Sequence, residues 1–289
     1  MTKDALYRFM LENADTRGEW VHLDDSWREL VKRADYPEIV RNALGEALAA
    51  VVLLSATIKH KGSLILQIRS DGPVHLLVVQ ASPEGHVRGL ARWSEEPTET
   101  DLSSIFGTGH IAITMEATTD NERYQGIIEL EGDNLSDALG EYFNRSEQLP
   151  TRLWLTSNAD SCGGLLLQRL PAEKHNDEDW SRVNMLLDTL TPEELLTVEP
   201  ADLIYRLFHE ESPRLFDPTM LRFQCSCSME KIENTIKSLG QDEADSIIAE
   251  QGTIEVNCEF CNSQYHLDSV DVARLFAGIG LSPANPTLH

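Results

Sequence analysis

The chain has 289 residues, of which 41% are hydrophobic and 25% are charged. This is the composition of an ordinary globular protein and excludes wholesale disorder, and the length fits a main domain with a smaller appendix. The 48 acidic residues outnumber the 24 basic ones, for a net charge of −24. Because such a field repels phosphate backbones and anionic lipid, we expect neither nucleic acid nor membrane as a partner.

The sequence gives little sign of membrane insertion or secretion. Its longest apolar stretch, Ala47 to Ile58, is shorter than the roughly 20 residues that a membrane-spanning helix needs. The first residues lack the apolar segment of a secretory signal. We therefore expect a cytoplasmic protein whose thiols are kept reduced.

Residues 1–174 are predicted to form an α+β core domain with a largely antiparallel sheet, because strands follow one another without regular helical crossovers. A long buried helix is predicted from Pro37 to Ile58, since proline is favourable at a first helical position. Asp71-Gly72 indicates a hairpin turn, and Gly163-Gly164 is interpreted as another turn. The other predicted elements are strands at Leu64–Ile68, Val74–Gln80, Ile111–Met115, Gly126–Leu130, Thr151–Leu155 and Leu165–Gln168, and a helix at Leu135–Phe143.

Residues 175–221 are predicted to form a string of short helices. Apolar residues recur at helical spacing from Trp180 to Leu190, and Thr191-Pro-Glu-Glu194 has the cap, proline and glutamate of a helix start. A further apolar stripe consists of Leu203, Ile204, Leu207 and Phe208. Helices this short are marginal unless they pack on a partner surface. The segment is therefore either a metastable linker or an ordinary helical connection between domains.

Four of the five cysteines form two tight pairs late in the chain: Cys225 with Cys227, and Cys258 with Cys261. Two such pairs, separated by a folded loop, supply four soft ligands for a tetrahedral Zn²⁺. Four thiolates fill the coordination shell and leave no position for an activated water, which excludes a zinc hydrolase centre while the site is intact. Residues 222–289 are therefore predicted to be a small zinc-binding domain that depends on its metal for folding.

The same cysteines could also form a redox switch. Zinc-bound thiolates remain nucleophilic toward oxidants, and oxidation could join Cys225 to Cys227 and Cys258 to Cys261. The ligands would then be lost, Zn²⁺ released and the small domain unfolded. The residues alone leave open whether the site is structural or a switch. The fifth cysteine, Cys162, stands alone and is interpreted as a small buried residue, with an extra oxidisable thiol as the alternative.

Two segments carry a resemblance to a known family. They are Phe223-Gln-Cys-Ser-Cys-Ser228 and Ile254-Glu-Val-Asn-Cys-Glu-Phe-Cys-Asn-Ser-Gln-Tyr265, with Leu207-Phe-His-Glu-Glu211 and Leu215-Phe-Asp-Pro218 shortly before them. In these motifs, and over nearly its whole length, the chain resembles the bacterial redox-regulated heat-shock holdases of about thirty-three kilodaltons. The order and spacing of the cysteines are specific to that family.

The resemblance implies an ATP-independent chaperone without catalytic residues. Its reduced form would bind one zinc ion through Cys225, Cys227, Cys258 and Cys261 and would be inactive. Oxidation would convert these ligands into two disulfides between near neighbours, release zinc, unfold the C-terminal domain and destabilise the linker. The oxidised protein would form homodimers and hold unfolding client proteins.

Two other functions fit parts of the sequence. A zinc-ribbon nucleic-acid binder would use the same four cysteines, but the acidic surroundings disfavour it. A thiol-disulfide oxidoreductase would use Cys258-Glu-Phe-Cys261, but the βαβ pattern that accompanies such motifs is missing from the sequence.

Overall fold

The computed structural model describes residues 4–57, 62–117, 123–171 and 177–277. The chain divides into two compact units, Met1–Gln224 and Cys225–His289. Each unit has a hydrophobic core of its own, and the two are described separately.

Unit 1 is built from strands and helices that alternate irregularly. Its strands are β1 (Ala5–Leu11), β2 (Thr16–Leu23), β3 (Gly62–Ser70), β4 (Val74–Ala81), β5 (His86–Trp93), β6 (Gly109–Ala117), β7 (Arg123–Glu129), β8 (Thr151–Ser157), β9 (Cys162–Arg169), β10 (Pro213–Leu215), β11 (Thr219–Met220) and β12 (Arg222–Phe223). Its α-helices are α1 (Asp25–Val31), α2 (Glu38–Thr57), α3 (Leu102–Phe106), α4 (Leu135–Tyr142), α5 (Asp177–Leu187), α6 (Pro192–Thr197) and α7 (Pro200–Phe208). Single turns of tighter or wider helix lie at Glu12–Ala14, Phe143–Glu147 and His209–Glu211.

The strands of unit 1 form two six-stranded sheets. Sheet A has the order β10-β1-β2-β9-β8, with β11 also paired to β1, and all its pairs are antiparallel. Sheet B has the order β12-β5-β4-β3-β6-β7 and is antiparallel except where β12 joins β5. The α+β class with a largely antiparallel arrangement is thereby confirmed.

Helix α2 lies at the centre of unit 1 and packs against strands of both sheets. Residues from Leu44 to Leu54 are almost all fully buried, because alanine, leucine and valine surround the helix on every side there. The helix is long and apolar enough to cross a membrane by composition alone, but 67% of its most apolar window is buried inside the fold. That burial is expected of a helix in the middle of a folded core.

Most of the predicted elements of residues 1–174 are present, with one error at Gly163-Gly164. The helix predicted from Pro37 to Ile58 is α2, although Ile58 lies outside the described residues. The two glycines do not form a turn but lie inside β9, and the turn to β8 is made before Cys162. The reason is space: a Cβ on Gly164 would lie 2.9 Å from both Leu155 Cδ2 and Leu53 Cδ1.

Helices α5, α6 and α7 cover one face of sheet A. Helix α6 begins with the predicted capping box, in which the Thr191 and Glu194 side chains each accept a hydrogen bond from the other's backbone N–H. Helix α7 buries its predicted apolar stripe completely or nearly so: Leu203, Ile204, Leu207 and Phe208 are at most 7% exposed. The helices therefore exist as predicted and are docked on the core.

Unit 2 is a small α+β module. Its elements are α8 (Met229–Leu239), α9 (Gln241–Gln251), the hairpin strands β13 (Ile254–Asn257) and β14 (Gln264–Leu267), and α10 (Ser269–Phe276). Its buried core cluster consists of Ile236, Ala244, Ile254, Leu267, Val272 and Leu275. A core this small supplies little free energy of folding, which makes an additional cross-link valuable.

Candidate metal centre and linker platform

The four late cysteines meet at one point in unit 2. Their Sγ atoms all lie within 4.8 Å of one another, although thirty residues of sequence separate the two pairs. Two Sγ–Sγ approaches run between the pairs: 3.6 Å from Cys225 to Cys258, and 3.3 Å from Cys227 to Cys261. All four are free thiols.

Local backbone structure places both pairs. Cys225 and Cys227 lie on the extended segment before α8, whose first turn is capped by Ser228 through a hydrogen bond from the Lys231 N–H. Cys258 and Cys261 lie on the turn between β13 and β14, where the Asn262 N–H donates to the Cys258 carbonyl at 2.7 Å. A helix start and a tight turn therefore position the two cysteine pairs.

The arrangement fits a single tetrahedral metal ion. Zn–S bonds of about 2.3 Å place tetrahedral sulfur atoms about 3.8 Å apart, close to the 3.6 Å and 3.3 Å separations across the cluster. Four thiols without an oxygen or imidazole ligand favour a soft metal and a closed shell. The four cysteines could thus hold a metal ion, and their chemistry matches a structural centre.

Burial and hydrogen bonds between the thiols favour the protonated form of the cluster. The hydrogen bond with Cys225, followed by burial, raises the pKa of the Cys258 thiol, and burial is the main cause that raises the pKa of Cys227. Thiolates this close repel one another when no cation compensates them. A bound divalent cation reverses this balance and holds the sulfurs as thiolates.

Two polar side chains next to the cluster were not among the predicted site residues. The Tyr265 hydroxyl donates to Cys227 Sγ at 3.2 Å, and the Cys261 thiol donates to Ser263 Oγ at 3.2 Å. Tyr265 is only 6% exposed and belongs to β14. Its position four residues after Cys261 was the available signal, because a strand leaving the cysteine turn runs back past the cluster.

A second feature is the face of sheet A beneath helices α5, α6 and α7; this face is here called the linker platform, and the three helices are called the linker helices. Its apolar side chains come from β1, β2 and β9 and pack against α5, α6 and α7 in one buried cluster. Phe9 shows the fit, since its ring stacks on Phe208 at 6.1 Å between centroids and occupies the space over Gly18. The platform members are Ala5, Tyr7, Phe9, Leu11, Trp20, Leu165 and Leu167.

Polar contacts fix the edges of the docked helices. Arg169 pairs with Asp177 at the start of α5 (2.7 Å), and Arg152 pairs with Asp188 just after it (3.0 Å). In each pair at least one of the two side chains is largely exposed, so each pair contributes less than about 1 kcal/mol. The apolar platform therefore supplies most of the free energy that keeps the linker docked.

Comparison with known proteins adds to this geometry. The family model described as Hsp33 protein matches residues 4–268, which span both sheets, the linker helices and the four cysteines. The chain belongs to the Hsp33 family.

Several relatives of this chain are named 33 kDa chaperonin. A protein from Nitrosococcus oceani named 33 kDa chaperonin is 48% identical over 287 residues and is matched over 99% of each chain. Another 33 kDa chaperonin, from Pseudomonas aeruginosa, is 44% identical over 294 residues and again 99% of each chain. The crystal structure of a 33 kDa chaperonin from Thermotoga maritima superposes with a TM-score of 0.83, covering 95% of this chain and 98% of that one at 22% identity. Relatives and fold together support a chaperone, and they confirm the resemblance drawn from the cysteine motifs.

The fifth cysteine, Cys162, lies far in sequence from the four-cysteine cluster and belongs to unit 1. It starts β9, is fully buried, and packs near the backbone of Gly45 in α2. Burial raises the pKa of its thiol well above the usual value, which keeps the sulfur protonated and poorly nucleophilic. The position agrees with the interpretation as a small buried residue.

Proposed function

We propose that this Hsp33-family protein is a redox-regulated, ATP-independent holdase of the cytoplasm, without enzymatic activity. In the reduced state Cys225, Cys227, Cys258 and Cys261 bind one zinc ion and the protein is inactive. Oxidation releases zinc, undocks the linker and allows unfolding proteins to bind. The observation that carries this proposal is the convergence of the four Sγ atoms within 4.8 Å in a unit with a very small core.

The reduced state is maintained by the metal centre. Zinc, when bound, would hold the four sulfurs as thiolates and tie the segment before α8 to the β13–β14 turn. Structural zinc sites of this kind contribute about 10–16 kcal/mol, which is as large as the stability of a whole domain. Loss of the zinc ion should therefore unfold unit 2.

The switch is a two-electron oxidation of each neighbouring pair. Cys225 with Cys227, and Cys258 with Cys261, each lose two electrons and form one disulfide. For each disulfide one hypochlorite is reduced to chloride, and its oxygen leaves as hydroxide or water. A disulfide sulfur is no longer a thiolate ligand, so the coordination shell is lost.

Residues 175–221 are proposed to be the metastable linker that transmits this change. The chain directly before Cys225 joins the sheets of unit 1 through the short strands β11 and β12, which have two residues each. Unfolding of unit 2 is proposed to free this segment and then α5–α7. The linker platform would then expose Phe9, Trp20 and their apolar neighbours, which suit the apolar segments of unfolded clients.

Dimerisation and solubility complete the proposal. Two oxidised protomers are proposed to associate as a homodimer, so that two exposed platforms can hold one client. The net charge of −24 would keep a protein with so much exposed apolar surface in solution.

The direct test is aggregation suppression of a heat-unfolded client. The zinc-loaded protein is assayed reduced, after hypochlorite treatment, and after re-reduction with zinc, while released zinc is measured with a chromogenic chelator. We expect suppression only in the oxidised sample, together with about one zinc released per chain. Equal suppression by the reduced protein would overturn the redox control, and no suppression in either state would overturn the holdase.

A further inference from the structure

We propose that His22 is an acid-sensitive latch: protonation of its ring releases helices α5–α7 from the linker platform without any oxidation. The inference rests on the proposed function, in which release of these helices exposes the client-binding surface. It adds a second trigger, mild acid, that acts on the platform instead of on the cysteines.

His22 lies beneath the linker. It sits on β2 directly opposite Gly163 of β9, and side chains of directly opposite residues point to the same face of a sheet. A Cβ on Gly163 would lie 3.2 Å from Leu196 Cδ2, so α6 covers this spot. The His22 ring is therefore sealed by the linker and is only 2% exposed.

The docked state leaves two ring nitrogens without partners. Nδ1 of His22 and Nε1 of Trp20 are both buried and have no hydrogen-bond partner within the part of the chain that the structure describes. The two rings stack nearly parallel, with 5.8 Å between centroids and 7° between planes. A buried polar group without a partner destabilises the state that buries it, and water would satisfy both nitrogens once the linker leaves.

Four charged groups face His22 from the elements around it. Asp4 precedes β1, Asp24 follows β2, Arg28 lies in α1, and Glu199 lies between α6 and α7. Asp4 is committed elsewhere, because it accepts hydrogen bonds from the Asp24 N–H and from the N–H and hydroxyl of Ser26, each at 2.7 Å. Asp24 is paired with Arg28 at 3.4 Å.

The balance of these effects favours a neutral ring in the docked state. Burial lowers the pKa of His22, and it outweighs the opposite influence of Asp24, Asp4 and Glu199. A released, hydrated histidine titrates near 6.5. The released state therefore binds more protons, and docking weakens as the pH falls through about 6.5.

The rest of unit 1 should not open under the same conditions. Glu19 lies on the other face of β2, and burial raises its pKa to about 7. Burial likewise raises the pKa of Glu46 in α2 to about 7. Carboxyls of this kind stabilise the folded state as the pH falls through about 7, so mild acid should open the linker selectively.

The test is hydrogen–deuterium exchange of the reduced, zinc-loaded chain at about pH 7.5 and about pH 5.5, corrected for intrinsic exchange. We expect opening of α5–α7 to rise at least about threefold at the lower pH, while the strands of sheet B stay protected. His22→Phe keeps the ring stack and cannot be protonated, and it should abolish the rise. The matched control His75→Gln changes an exposed histidine of β4 and should leave the rise intact.

Three results would overturn the latch: no rise in the wild type, the same rise in His22→Phe, or a rise that tracks zinc loss in both proteins. If His22→Phe does not fold, His22→Gln replaces it, and NMR titration of the wild-type ring decides the matter. A His22 midpoint at or above about 6.5, the value of a hydrated histidine, would contradict the proposal. Oxidation of the same samples at about pH 7.5 tests the proposed function separately, because that response does not require His22.

Discussion

Arg182 in α5 holds Glu211 through two parallel hydrogen bonds, from Nε at 2.7 Å and from Nη2 at 2.9 Å. Glu211 is 2% exposed, whereas the Arg182 side chain is 43% exposed. This pair joins the first linker helix to the turn that follows the last one, across 29 residues of sequence. The buried Glu211 carboxylate is thus paired with a cation from a different helix.

Replacement of Arg182 should therefore loosen the linker in the reduced protein. Arg182→Met leaves the Glu211 carboxylate buried without its cation, and we expect a loss of about 1–3 kcal/mol in linker docking. Limited proteolysis between α5 and α7 should speed up without oxidant. The control Arg206→Met breaks the more exposed pair with Glu194 and should change cleavage little. Equal cleavage in both variants would contradict the assignment.

Tyr265 is expected to tune the cysteine cluster without being required for metal binding. Its hydroxyl donates to Cys227, and hydrogen bonds of this kind withdraw electron density from a metal-bound sulfur. Tyr265→Phe should keep one zinc per chain but release it severalfold faster under limiting hypochlorite. Stopped-flow zinc release is the measurement, with Tyr205→Phe, an exposed tyrosine of α7, as control. Unchanged release would show that the hydrogen bond has no part in the switch.

Glu19 predicts a pH dependence of core stability. It is 3% exposed, its Oε2 has no hydrogen-bond partner in the described chain, and burial raises its pKa to about 7. A carboxyl with a raised pKa stabilises the fold below its unfolded pKa, and this stability is lost as the pH rises through about 7. Relative to Glu19→Gln, the wild type should therefore lose about 1–3 kcal/mol between about pH 5 and about pH 8.

Urea unfolding of the reduced proteins, followed by a signal from unit 1, measures this difference. Glu129→Gln changes an exposed carboxylate at the end of β7 and should run parallel to the wild type at every pH. A flat difference between wild type and Glu19→Gln would mean that Glu19 stays ionised in the fold.

Gly164 should be intolerant of a side chain. A Cβ at this position would lie 2.9 Å from Leu155 and Leu53 and 3.0 Å from the Trp154 carbonyl oxygen. Gly164→Ala should lower the free energy of unfolding of unit 1 by about 1–3 kcal/mol. In contrast, Gly140 lies inside α4 with its nearest neighbour at 3.4 Å, and Gly140→Ala should be neutral or stabilising. Thermal unfolding of both variants measures whether the close packing at Gly164 makes the difference between the two positions.

The strength of each sequence pattern decided what could be predicted. Helix α2, the strands around Asp71-Gly72 and the capped start of α6 follow local rules, and the cysteine spacing alone indicated the cluster. The first two strands were missed, because Thr16–Leu23 mixes Arg17, Glu19 and His22 with apolar residues and gives no clean alternation. Glu19 and His22 are buried by tertiary packing on opposite faces of sheet A, which no local pattern reveals.

The Gly163-Gly164 error has the same origin. A pair of glycines usually indicates a turn, but here the glycines make room for α2 and β8 on one side and α6 on the other. The platform and its buried polar groups, Trp20 Nε1 and His22 Nδ1, likewise depend on which helices fold back over the sheet. Only the three-dimensional structure supplies that information.

The central claim is that loss of the metal from the four cysteines undocks the linker. The most direct measurement follows zinc release and hydrogen exchange of α7 in the same hypochlorite-treated sample over time. We predict that protection of Leu203, Ile204, Leu207 and Phe208 is lost along with zinc and returns when the protein is reduced with zinc present. A chain that releases its zinc while α7 stays fully protected would contradict the account.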